Sequence, residues 1–177
     1  MLFTDFLKAT VFISAAAASA LATVTVAGAH ALDDLTIALF AAGWWVVAAG
    51  IGAFLGRRGE TNPPIARLLA GARLSTALPE VRPGRVLLNR LWPLLVMTVP
   101  AGALAFVAPQ VSGIACGFAI IWALAWRRQE AAVTAIEERD GVRFYIEPTS
   151  PVEPIKLVRT PGFKATLPQD PERAATG

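Results

Sequence analysis

The stretch LWPLLVMTVPAGALAFVAPQVSGIACGFAIIWALAW, from Leu91 to Trp126, holds no Lys, Arg, Asp or Glu in 36 residues. As one α-helix it would be about 54 Å long at 1.5 Å per residue. That is too long for one crossing of a hydrocarbon core about 30 Å thick. Ala108-Pro109-Gln110 lies at its middle. Proline is tolerated at the start of a helix and not in its interior. The run therefore reads as two short crossings, one over residues 91–108 and one over 110–126.

Working outward, two more stretches lack charge: Ala9 to Ala29 and Leu35 to Leu55. Each has 21 residues, the length of one crossing. Of the whole chain, 55% is hydrophobic and 16% charged, against about a quarter charged in soluble domains. The expected fold is an all-α membrane protein with four transmembrane helices in two hairpins. A basic loop over residues 56–90 joins the hairpins, and residues 127–177 form the C-terminal region. Residues 1–55 form the first hairpin; within it Lys8, the first apolar run and Ala27-Gly28-Ala29 also resemble a secretory signal, but the apolar run is longer than a signal core, so a retained first span is expected.

Charge orients the chain. With four crossings, all 16 Lys and Arg fall on the side of the termini and the 56–90 loop, leaving His30, Asp33 and Asp34 on the other. The positive-inside rule then puts both termini in the cytoplasm. Arg-rich, Ala-rich composition points to a bacterial inner (plasma) membrane. Arg57, Arg58, Arg67, Arg73, Arg127 and Arg128 are candidates for lipid headgroups. The Arg-rich segment lacks the interleaved aromatics of a nucleic-acid surface.

Within the loop, Ile65, Leu68, Leu69 and Ala72 recur at helical spacing with Arg67 and Arg73 off that face. This predicts a short amphipathic helix lying on the membrane, the alternative being a helix packed on the protein's own tail. Beyond Trp122 and Trp126, an interfacial aromatic pair, the fourth helix is expected to extend through Asp140 and stop at Gly141. Val142–Ile146 and Ile155–Val158 read as a β-hairpin, followed from Thr160 by a disordered tail. Gly43, Gly52, Gly56, Gly113 and Gly117 are candidate helix-packing positions, since glycine lets a neighbouring helix come close.

Chemistry is hard to place. One histidine in the chain rules out HExxH and leaves His30 as the only candidate for a Ser-His-Asp set. Cys116 is the sole cysteine, so no intramolecular disulfide forms. The apolar spans hold no ionisable residue of the kind that marks transport pathways. No cofactor or metal is expected. The reading is a non-enzymatic membrane protein, an accessory or scaffold subunit partnered by the bilayer and by another protein or a second copy. The alternative is a component of a small transporter or channel whose oligomer lines a pathway between the second and third helices.

The topology can be checked by accessibility labelling on a Cys116→Ser background. A cysteine at position 33 should react from one side of the membrane and cysteines at 60 and 150 from the other. Labelling of all three from the same side would refute four crossings.

Overall fold

The computed structural model describes residues 1–57, 59–75, 82–147, 149–150 and 153–161. Helices α1 (Phe3–Ala31), α2 (Leu35–Leu55), α3 (Pro63–Ala70), α4 (Pro83–Ala103), α5 (Pro109–Trp126) and α6 (Gln129–Asp140) account for most of it. Strands β1 (Arg73–Leu74), β2 (Val142–Ile146) and β3 (Leu157–Pro161) form one small sheet. Four stretches are long and apolar enough to cross a membrane: Phe3–Ala31, Leu35–Leu55, Pro83–Phe106 and Pro109–Asp140.

Local chemistry sets the boundaries. The Asp34 carboxylate accepts from the Thr36 amide at 2.9 Å and caps α2. Asp33 takes a left-handed φ of 51° to make the turn from α1. α5 begins at Pro109 after a 3-10 turn over Leu104–Phe106. Gly141, at φ 63°, ends α6 in the left-handed conformation that glycine adopts at low cost.

Three expectations are corrected here. The third long helix starts at Pro83 instead of Leu91, because Pro83 fits a first-turn position ahead of the apolar run. Pro93 is therefore interior, like Pro100. The Thr98 hydroxyl donates to the Leu94 carbonyl at 2.6 Å and not to the carbonyl that Pro100 frees. The fourth helix does not extend unbroken to Asp140: it stops at Trp126, and α6 starts afresh at Gln129. The β-hairpin is the larger part of a three-stranded sheet. Its second strand spans Leu157–Pro161, so Thr160 and Pro161 belong to it and not to a tail, and residues 162–177 lie outside the described residues.

α5 sits at the centre of the long helices. Thr25 meets Ser112 and Ala18 meets Cys116, so α5 runs antiparallel to α1. Ala41 lies by Gly113 and Gly52 by Ile121 and Leu124, so it runs parallel to α2. α4 lies across α1 and α5, and α2 rests mainly on α5. A core of Ala18, Leu21, Ala101, Cys116 and Ala119 fills the contact among α1, α4 and α5.

A second core gathers at the other end of α1. Phe3, Phe6 and Leu7 pack with Ile65, Val86, Val133, Phe144, Ile146 and Leu157. The N-terminus, the segment between α2 and α4, and the C-terminal strands thus share one end of the molecule. The sheet order is β1-β3-β2, with β2 and β3 antiparallel and β1 and β3 parallel. Leu2 bridges Tyr145, and the Met1 carbonyl accepts from the Ile146 amide at 3.1 Å. The N-terminus therefore covers the free edge of β2, which would otherwise present unpaired backbone groups.

A Cβ at Gly117 would collide with the Trp44 indole, whereas one at Gly50 meets open space. Gly117→Ala should cost about 1–3 kcal/mol through overpacking. Gly50→Ala should stay within about 0.5 kcal/mol of the parent. Thermal melts of both variants in one detergent at one scan rate check the contrast.

Candidate functional site

The helix interfaces use small residues and short polar links. Gly52 and Gly56 of α2 lie against Ile121 and Leu124 of α5; a Cβ on Gly52 would come 2.8 Å from that of Leu124. Gly113 fits between Ala41 and Thr25, and Gly117 lies under Trp44. Gly43 differs: nothing lies within 4 Å of where its Cβ would be, so within this chain it packs no helix. Gly28, which the sequence reading passed over, lies against the Ala105 carbonyl and Pro109. Its position one residue before the end of an apolar run looks like part of a turn, which hides its packing role.

Several polar groups of the long helices tie one helix to another, while Ser19 and Thr23 are exposed and donate to carbonyls of their own helix. The hydroxyls of Thr25 and Ser112 lie 2.7 Å apart, both buried. The Cys116 thiol donates to the Ala18 carbonyl at 3.2 Å. The Trp45 and Trp44 indoles donate to the carbonyls of Gly113 (2.9 Å) and Ile114 (3.2 Å). A lipid interior offers these groups no other partner, and their geometry is that of ties between helices. Among the described residues no three His, Cys, Asp or Glu side chains are placed to hold a metal ion.

Among the described residues, two cavities open at the turn end. One, about 230 Å³, lies between α2 and α5 and is lined by Phe40, Trp44 and Gln110 among others. The other, about 220 Å³, lies between α1 and α2 beside His30, Asp33 and Asp34. Both fall below the roughly 300–1,000 Å³ of typical ligand pockets.

The opposite, basic end is richer. Helix α3 is amphipathic as expected, but its apolar face is not free for lipid: Ile65 is 1% exposed, and Leu68 and Leu69 pack on the second core. The apolar face of α3 thus packs on the protein's own second core. Two buried polar side chains, neither singled out from the sequence, organise that module. Gln129, fully buried, accepts from the Asn62 amide at 2.9 Å and donates to the Glu60 carbonyl at 3.5 Å. Glu137, 2% exposed, accepts from the Phe144 amide at 2.9 Å and pairs with Arg143 at 3.1 Å. Both sit in a helix that reads as a solvated extension, so nothing in the spacing marks them. Arg90 of α4 reaches the Glu153 carbonyl and the Thr149 hydroxyl, joining α4 to the β2–β3 connection.

The candidate headgroup arginines fall into two groups. Arg67 and Arg73 are exposed on α3 and β1, in the module. Arg57, Arg127 and Arg128 are exposed at the ends of α2 and α5. Arg58 lies outside the described residues. The ion pairs among the described residues are Lys8–Glu130 (3.2 Å), Arg139–Asp140 (2.8 Å) and Arg143–Glu137. The hydrogen bond from Arg139 holds the Asp140 carboxyl below its usual range. That pair is solvated and stabilises the fold little.

Glu137 gives a sharp test. Glu137→Ala would leave the buried Phe144 amide without its acceptor, at a cost of roughly 1–3 kcal/mol. Arg143→Ala leaves the buried Glu137 carboxylate without its counter-charge and should cost at least as much. Apparent unfolding temperatures of both variants should fall below that of the parent.

No protein-family model, curated protein or solved structure matches this chain.

Proposed function

We propose that this chain is a non-enzymatic integral membrane protein serving as an accessory or scaffold subunit of a bacterial inner-membrane assembly. In this reading α1 with α2 and α4 with α5 form the two membrane hairpins, and the basic module faces the cytoplasm. The observation that carries it is the state of α2. This helix buries only Ala41, Ala48 and Gly52. Gly43 and Gly50, seven residues apart and so on one helical face, both meet open space. An outward glycine pair in a span is a surface on which another helix can come close.

Two features support an interaction role over a transport role. The polar atoms of the long helices are spent on ties within the chain. In addition, α2 rests mainly on α5 and α4 mainly on α1, so the two helices expected to flank a pathway have no substantial contact with each other among the described residues.

The test is mild solubilisation into native-lipid discs, followed by size analysis and mass spectrometry. The parent chain should run as a complex with a defined partner or a second copy. The double variant Gly43→Leu/Gly50→Leu should run alone while keeping its melting behaviour, because a Cβ at either position meets open space. A parent chain that is monomeric in its native lipids would defeat the proposal.

A further inference from the structure

We infer that Arg57, Arg127 and Arg128 form a headgroup site for an anionic phospholipid at the basic end of the α2–α5 pair. The inference rests on the membrane reading and makes one surface of it specific. One guanidinium N–H of Arg128 donates to the Arg57 carbonyl at 3.0 Å, which brings two cationic residues from distant parts of the chain together. The Arg57 guanidinium in turn sits over the Phe54 ring, 5.7 Å from its centroid. Among the described residues none of Arg57, Arg127 and Arg128 pairs with a carboxylate, whereas Lys8, Arg139 and Arg143 each do. The nearest carboxylate along the chain after Arg128, that of Glu130, is engaged by Lys8.

The Arg128–Arg57 contact, with Arg127 next in sequence, gathers positive charge at one corner, and that charge attracts an anion. The surroundings specify which anion. Trp122 is half exposed and stacks on Trp126 with ring centroids 5.7 Å apart, and Phe54 is 67% exposed. These apolar groups stand directly on the span side of the arginines. A ligand suited to the corner thus carries a phosphate at one end and a hydrocarbon at the other. Arginine's planar fork binds phosphate through paired N–H groups, while the aromatic rings take the upper acyl chain at the interface. Arg67 and Arg73 are carried by α3 and β1 and not by the ends of α2 and α5, so they stand outside the site.

The test uses the full chain reconstituted in phosphatidylcholine vesicles. A rising share of the lipid is replaced by brominated phosphatidylglycerol or by brominated phosphatidylcholine, and tryptophan fluorescence is recorded. The phosphatidylglycerol should be preferred by roughly fivefold, the factor that about 1 kcal/mol in favour of anionic lipid gives. The triple variant Arg57→Gln/Arg127→Gln/Arg128→Gln should bring that preference to within about twofold of none. A charge-matched control, Arg67→Gln/Arg73→Gln/Arg85→Gln, should keep it. Equal quenching by the two lipids in the parent would overturn the site, as would an equal loss in both triple variants. An absence of quenching by either lipid would overturn the membrane reading and the site with it. Quenching by brominated phosphatidylcholine, retained in each variant, shows that the variant is inserted.

Discussion

The close approach of α5 to α1 on one side and to α2 on the other is the constraint from which the rest of the molecule follows. Between apolar helices in lipid there is little hydrophobic drive to associate, so cohesion comes from short-range packing and hydrogen bonds. Both decay within an ångström or two of separation. Gly113 and Gly117 remove the side chains that would hold α2 away, and Gly28 does the same where α1 meets the start of α5. Only at that separation can Thr25 reach Ser112 and the Cys116 thiol reach the Ala18 carbonyl. Packing and polar ties are therefore coupled: neither set forms without the other.

Because α5 takes both central interfaces, α2 and α4 are left at the flanks. Their large apolar side chains point outward: Leu39, Phe40, Val46 and Phe54 on α2, Met97 and Val99 on α4. In water such a surface would be an aggregation hazard. In a bilayer it is the expected outer surface, interrupted where Gly43 and Gly50 lie. The basic end obeys different rules. There water is available, so the second core relies on large side chains such as Phe3, Phe6 and Phe144, and charges on its rim are paired or solvated.

This division explains what was legible in the sequence. The four apolar stretches, the break at Pro109 and the stop at Gly141 depend on local composition, and a sequence shows these directly. The start of α4 was misplaced because the count began with the apolar run, while Pro83 begins a helix whose first turns are polar. The face of α3 was legible but its partner was not: Ile65 reads the same whether it meets lipid or Phe6. β1 was invisible, since two residues that pair with β3 only after folding carry no periodicity. Gln129 and Glu137 were missed for a similar reason. Their burial is created by chain segments 60 or more residues away in one case and by a turn-back of the chain in the other.

The hydrogen bond between Met1 and Ile146 also imposes an order on biogenesis. Met1 and Ile146 stand on either side of every long helix in sequence. Phe3, Phe6 and Leu7 can meet Ile65 and Val86 early, but Phe144 and Ile146 only once β2 has been made. Contacts of such sequence separation are slow to form and leave their apolar partners uncovered in the meantime. The basic module is in effect a clasp that closes last, once the helices it fastens are already side by side.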